Sequence, residues 1–529
     1  MSALSPLNRA FNKIPKRAEK QESPQLHETF VDSGVLDVIN TVDHQVIYGR
    51  RGTGKTHALS YLGSEAAANG DLSLYIDLRT IGSSGSLLNQ ETVSINERAS
   101  RLLVDLLGQL HESIFNAVLE DSSLMEDAPF VEKADQLLTA ITSIRIIGPI
   151  EKKDETESKT GSSASASAGV SLSPKGPNFS TQMGANASSE ERGTQTETRT
   201  GTEQTSLNFT DVAKALNELG RTLSSRRVWL LLDEWISIPR DLQPYLAHFL
   251  TRCVLPVQKF TVKIAAIEQQ SNFRAQVDGS VIGIELGADM AAHVNLDDFL
   301  VYEGNEERAR SFFRGLFSKH VQSIKATTPQ LASSLPDGDL ISPGFTDKRA
   351  FDELVRAAEG VPRDALYIAA KAAMKAGKEK ISVPLIRDST RDWYHGDKMN
   401  SIMSLNRGHQ LLEWIISEVI RGKRARAFLV KTSDSRNELL LALFDARVLH
   451  IIRRGYSAQD KPGERYDIWG IDYGAYVDLL KTNSAPLGML PFEDLEGESS
   501  YINIDVPLQD HRAIRRAILD LDEFNISNA

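Results

Sequence analysis

Eight consecutive residues, Gly49-Arg50-Arg51-Gly52-Thr53-Gly54-Lys55-Thr56, fit the pattern G-x-x-x-x-G-K-[ST]. Glycines at 49, 52 and 54 let the backbone curl so that several N–H groups face one point. A helix starting at Lys55 would turn its positive end to the same point. Such an arrangement attracts phosphate: Lys55 would reach the outer phosphates of a nucleotide, and the Thr56 hydroxyl would bind Mg²⁺. A second chemical signal is Val228-Trp229-Leu230-Leu231-Leu232-Asp233-Glu234, an apolar run ending in two acids. A buried strand has no packing reason to end in Asp-Glu. Hydrolysis of a phosphoanhydride does need two carboxylates, one to hold Mg²⁺ (Asp233) and one to take a proton from the attacking water (Glu234).

Three further positions carry weaker signals. The run Val262 to Ile267 exits into Glu268-Gln269-Gln270-Ser271-Asn272, where Gln269 would orient an attacking water unless the segment is an ordinary strand exit. Arg274, the only arginine between that strand and His293, reads either as a cation offered to a neighbouring subunit's phosphates or as a solvated surface residue. In Glu359-Gly360-Val361-Pro362-Arg363-Asp364-Ala365-Leu366 an arginine falls in the first turn of a helix, where the dipole opposes it. Arg363 therefore asks for an anionic partner, either Asp364 beside it or a bound phosphate.

Positioning these groups requires an α/β core. His44 to Tyr48 and Leu72 to Leu78 read as short strands, and Asn96 to Leu119 has leucines at three-and-four spacing that mark a long amphipathic helix. A helix over 211–224, with Thr210 as N-cap, leads into the strand at Val228. Helices alternating with strands predict a parallel sheet. Residues 30–300 form this core and residues 1–29, polar with three prolines, an extended lead-in. Within 151–207, 26 of 57 residues are Ser, Thr or Gly, so this stretch is a flexible insertion or, from its period-two alternation, a β-hairpin arm. Residues 301–378 read as a helical lid. In 379–485, two helices precede two β-rich runs flanking a Pro-Gly turn, the order of a winged helix-turn-helix. An acidic tail occupies 486–529.

Composition narrows the functions. In 529 residues, 60 Lys and Arg stand against 71 Asp and Glu, so the net charge of −11 excludes nucleic-acid binding by overall charge. A local patch is different: residues 421–465 hold eleven Lys or Arg against five acids. Double-stranded DNA is one expected partner of this basic winged helix, and a protein effector is the alternative. One cysteine, Cys253, permits no internal disulfide, which suits a cytoplasmic location. No run of about 18 apolar residues predicts a membrane span. Among eleven histidines no H-x-x-x-H or H-E-x-x-H spacing suggests a metal, and no G-x-S-x-G elbow supports a serine hydrolase.

Taken together, residues 30–480 resemble the AAA+ ATPases, specifically the origin-recognition and replication-initiator clade. Gly49 to Thr56 is similar to the family's Walker A and Leu230 to Glu234 to its Walker B, while Gly360 to Leu366 is similar to its sensor 2 segment. The resemblance implies an αβα ATPase with helical lid and winged helix, ATP rather than GTP as nucleotide, Arg363 on the γ-phosphate, and work as a homo-oligomer. Two departures stand out: the clade usually has asparagine at sensor 1, where this chain has Glu268 to Asn272, and the Ser/Thr insertion is foreign to initiators. This implies a divergent bacterial branch coupling nucleotide state to DNA-associated work, in phage defence or mobile-element control, or else a nucleotide-gated signalling switch.

Overall fold

The computed structural model describes residues 4–527 except 82–87, 89–91, 122–123, 125–127, 142–144, 148–149, 154–162, 174–175, 187–195, 200–201, 205–207, 278, 301–305, 404–405, 424, 426, 458–462 and 481–516. The chain divides into two units, one of residues 1–141 with 208–529 and one of residues 142–207.

The larger unit is built on five parallel strands, β1 (Gln45–Tyr48), β2 (Leu72–Asp77), β3 (Val228–Asp233), β4 (Phe260–Ala266) and β5 (Ala291–Asn295), in the spatial order β5-β1-β4-β3-β2. β1, β3 and β4 are buried at every position, as expected for continuous apolar runs covered by helices on both faces. β2 lies at an edge and alternates. Register brings the carboxyl ends together: Tyr48 pairs with Ala266 and Asp77 with Asp233. Because β1 sits between β4 and β5, the chain leaves it toward the opposite side of the sheet. That opens the crevice where open parallel sheets bind ligands. The crossover helix α1 (Lys55–Ala68) starts at this point.

The long helix α2 (Ile95–Glu120) is, among the described residues, the one helix apolar and long enough to cross a membrane. Its leucines at 102, 103, 106, 107 and 110 are nevertheless buried in the fold, so its apolarity has a core explanation. β4 also runs straight into solvent on neither face: Lys263 is fully buried and donates to the carbonyls of Thr41 (2.8 Å) and Asp43 (2.9 Å) and to the Gln45 side chain.

Residues 1–29 depart from the expected extended lead-in. Pro6–Lys13 is a helix capped by Ser5, and it buries Leu7, Ala10 and Phe11. Phe11 meets Phe317 edge-on at 5.6 Å, and the Asn8 amide donates to Gly377 and Glu379 carbonyls at 2.9 Å each. The apolar spacing of Leu7, Ala10, Phe11 and Ile14 was readable as a helix face; the prolines masked it, since Pro6 occupies the first turn, where proline is tolerated. This segment shares one hydrophobic cluster with α3 (Glu306–Thr327), α4 (Lys348–Ala357), α5 (Pro362–Ala376) and α6 (Val383–Trp393).

A second cluster gathers Tyr394, Leu411, Ile415, Phe428, Leu440, Phe444 and Trp469 around a three-stranded antiparallel sheet. Its strands are β6 (Ala427–Lys431), β7 (Leu449–Ser457) and β8 (Arg465–Ile471), with β8 central. Helix α7 (Glu438–Asp445) precedes β7 and is capped by Asn437. Trp393 and Tyr394 are adjacent in sequence but belong to different clusters, which marks a seam between the two cores. β6 is a strand the sequence reading did not identify. Part of the acidic tail also folds back: Leu429 exchanges backbone hydrogen bonds with Ala517 and Leu519 at 2.7 and 2.9 Å, and Leu521 and Phe524 are buried. The rest of that tail, and Lys461 and Pro462 of the turn, lie outside the described residues.

In the smaller unit, Ser163–Ser173 pairs antiparallel with Gly176–Asn186. The alternating residues Ala164, Ala166, Ala168, Val170 and Leu172 lie on the first of these strands.

Candidate functional site

The loop Gly49 to Thr56 joins the carboxyl end of β1 to α1. Gly52 and Gly54 have φ of +89° and +98°, a region that penalises any side chain. At Gly52 there is a second reason: a Cβ would lie 2.8 Å from the Cβ of Arg363, so only glycine lets α5 approach. The Arg363 N–H donates to the Gly52 carbonyl at 3.2 Å. Between the loop and α5 lies a cleft of about 380 Å³, lined by Lys55, Thr56, Glu234 and Arg363 among others.

Thr56 lines the cleft, and Asp233, 177 positions away, is buried behind it: the Thr56 hydroxyl donates to Asp233 Oδ2 at 2.6 Å. The Tyr75 hydroxyl donates to the same oxygen at 2.7 Å, and the Glu234 N–H to Oδ1 at 2.8 Å. A hydroxyl beside a buried carboxylate is a hard-oxygen donor pair that fits Mg²⁺. Glu234 adopts φ 57°, ψ 45°, a left-handed conformation costing a non-glycine residue roughly 1 kcal/mol or more. The turn swings its side chain out of the sheet so that it lines the cleft. Burial, and then Asp233, raise the Glu234 carboxyl above its ordinary value. Lys55 donates to the carbonyls of Gly49 (2.8 Å) and Arg50 (3.0 Å), and burial holds its ammonium below the usual value against the pull of Asp233 and Glu234.

The cleft contains residues that sequence reasoning missed. Pro15 to Glu19 and Gln21 line it, so Lys16 and Arg17 join Arg51, Lys55, Arg79 and Arg363 in a strongly cationic lining. Arg79 is held by Asp77 and, at 3.0 Å, by Glu19. The Pro-Lys-Arg run was visible, but its place over the cleft depends on docking of the first helix. A smaller apolar pocket adjoins, lined by Phe30, Val35, Leu296 and Phe312 and sharing Gly54, His57 and Leu316 with the cleft.

One expected residue stands elsewhere. Gln269 does not line the cleft; the segment after β4 instead faces the C-terminal sheet, where Gln270 donates to Asp445 and Glu268 pairs with Arg454 at 2.8 Å. Arg274 lies on the exposed hairpin Arg274–Val277/Ser280–Gly283, 3.6 Å from Glu285, and does not line the cleft of its own chain. Arg50 and Thr53 are buried and also absent from the lining, unlike Arg51.

Behind Arg363 lies a buried charge network. Asp364 accepts from Arg447 at 2.8 Å and lies 3.0 Å from Lys398, whose ammonium donates to Asp472 at 2.6 Å. Asp364, Lys398 and Asp472 are each 2% exposed or less. Burial opposes every one of these charges, yet Lys398 and Arg447 hold Asp364 below the ordinary carboxylate range, and Asp364 and Asp472 hold Lys398 above the ordinary lysine range. His450 faces Asp472 at 3.3 Å, and burial together with Arg50 lowers it to about 4.

Buried histidines give a pH prediction. His320, on α3 at the cleft, is lowered to about 3 by burial, then by His57 and Lys16. The unfolded chain therefore binds protons that the fold refuses, and stability falls as pH drops from about 6.5 toward 3. Asp445, raised to about 6 by burial, acts in the opposite direction, so the informative quantity is a difference between variants. Between pH 7 and pH 5 the wild type should lose roughly 2 kcal/mol more unfolding free energy than His320→Leu. Equal losses in urea titrations would contradict the assignment.

Residues 14–82, which carry the strap over the cleft, the phosphate loop and β2, match the model of a family described as ORC-CDC6-like. The chain resembles that family in this segment. No curated protein matches it. Among solved structures, the Aeropyrum pernix ORC1 protein in complex with DNA aligns over 88% of this chain and 93% of that chain, at 13% identity and a TM-score of 0.25. A likeness that loose carries no argument about function.

Proposed function

We propose that this chain binds and hydrolyses ATP in the cleft between the phosphate loop and α5, and couples nucleotide state to DNA-associated work. The observation that carries the reading is the Thr56–Asp233 contact at 2.6 Å, in a cleft also lined by Lys55, Glu234 and Arg363. Lys55 would leave the Gly49 and Arg50 carbonyls for phosphate oxygens, with the loop N–H groups and the start of α1 beside it. Thr56 and Asp233 would hold Mg²⁺, which when bound neutralises phosphate charge. Glu234 accepts the proton of the attacking water, and Arg363 reaches the γ-phosphate from the lid. The apolar pocket beside Gly54 would take the base.

DNA is the partner we propose for the C-terminal sheet, on the strength of Lys423, Arg436, Arg453 and Arg465, which are exposed. Arg447 is unavailable, being spent in the buried network. Arg424, Arg426 and Lys461 lie outside the described residues. The test is ATP turnover and DNA affinity at 50 and 200 mM salt. Three to five neutralised phosphates predict an affinity loss of about 40- to 500-fold over that range. Turnover indifferent to DNA, with no binding at low salt, would favour the second reading, a nucleotide-gated switch that recruits a protein effector.

A further inference from the structure

Arg50 stands second in the phosphate loop, yet its side chain is 2% exposed and points away from the cleft. Each guanidinium nitrogen has a partner from a different part of the chain. Nε donates to Asp297 at 2.7 Å, in the short helix that follows β5; Nη2 donates to the Glu359 carbonyl at 3.2 Å, in the turn between α4 and α5; and Nη1 meets His450 Nδ1 on β7. Its guanidinium also lies over the Phe444 ring, 5.4 Å from the centroid. The backbone is clamped as well, since the Arg50 N–H donates to Asp297 Oδ2 at 2.9 Å and its carbonyl accepts from Lys55. One residue therefore ties the loop to the sheet, the lid and the C-terminal sheet.

The charged groups behind these contacts continue the tie. His450 faces Asp472, Asp472 accepts from Lys398, and Lys398 faces Asp364, the neighbour of Arg363. Loop and lid arginine are thus joined twice: directly, through Gly52 and Arg363, and through the C-terminal sheet. When Lys55 turns from the Arg50 carbonyl to a phosphate, the peptide carrying Arg50 loses one of its fixed contacts. A planar fork with three occupied arms passes such a displacement on, because its nitrogens cannot move independently.

We propose that Arg50 is a positioning residue that makes nucleotide occupancy of the loop and the seating of the C-terminal sheet one coupled equilibrium. This deepens the ATP reading and rests on it. The experiment is hydrogen–deuterium exchange of the full chain with and without Mg²⁺ and a non-hydrolysable ATP analogue, in the wild type, Arg50→Lys and His450→Leu. His450→Leu removes the arm to β7 together with the His450–Asp472 contact and leaves Arg50–Asp297 and Lys398–Asp472 intact, and a urea titration of each variant checks that it is folded. Wild-type exchange over residues 449–457 and 465–471 should change by about fivefold or more on nucleotide addition, the scale of ordinary site-to-site coupling. His450→Leu should keep nucleotide affinity within about threefold and lose that response, and Arg50→Lys should lose it too, because an ammonium cannot replace the fork. A wild type that binds nucleotide without the response, or a response that survives in His450→Leu, overturns the proposal. A wild type that binds no nucleotide overturns the ATP reading itself.

Discussion

Replacing Glu234 by Gln should reduce ATP turnover by about 10²- to 10⁴-fold, the usual share of a positioned general base, while ATP affinity stays within a few-fold. The prediction separates chemistry from binding. Lys55 and Thr56 remain in place, and the loop N–H groups do not depend on residue 234. Gln has nearly the shape of Glu but cannot accept a proton at neutral pH. Its left-handed backbone adds a second expectation: Glu234→Gly should inactivate while stabilising the fold by up to about 1 kcal/mol, because glycine does not pay for φ 57°. An inactive and destabilised Glu234→Gly would mean that the carboxylate also holds the structure together. Full turnover in Glu234→Gln would remove Glu234 from the chemistry.

Lys398→Met should be the most destabilising single change at the seam. The lysine is 2% exposed between Asp364 and Asp472, and its loss leaves two buried carboxylates facing one another. Removing one partner of a buried ion group costs about 3 to 5 kcal/mol. Arg447 still covers one Asp364 oxygen, which places the expectation at the lower end. The double variant Lys398→Met/Asp472→Asn should recover part of the loss, since one uncompensated charge has gone. Urea titrations of the wild type and the two variants measure this directly. A loss below about 1 kcal/mol for Lys398→Met would show that the network is solvated.

How much of this was legible before the fold was known depends on the range of the contacts involved. The phosphate loop, the paired acids at the end of β3 and the leucine face of α2 were readable because each is local. Arg50 was readable only as an unspecified loop position: its partners Asp297 and His450 lie 247 and 400 residues away, and no spacing rule reaches that far. β6 was hidden because basic residues on its amino side drew attention to charge, while Ala427-Phe428-Leu429-Val430 is too short an apolar run to stand out. Gln269 was placed from strand polarity alone, which fixes where a strand ends but not which way its exit turns. Here the exit turns toward Asp445 and Arg454.

The central claim, a nucleotide cleft built from Lys55, Thr56, Asp233 and Glu234, is tested most directly by equilibrium binding of a fluorescent ATP analogue with Mg²⁺. The wild type should bind, and Lys55→Ala should lose at least about tenfold in affinity, the loss of one charge-assisted phosphate contact. Equal binding by Lys55→Ala and the wild type, or no binding by a folded wild type, would contradict the account.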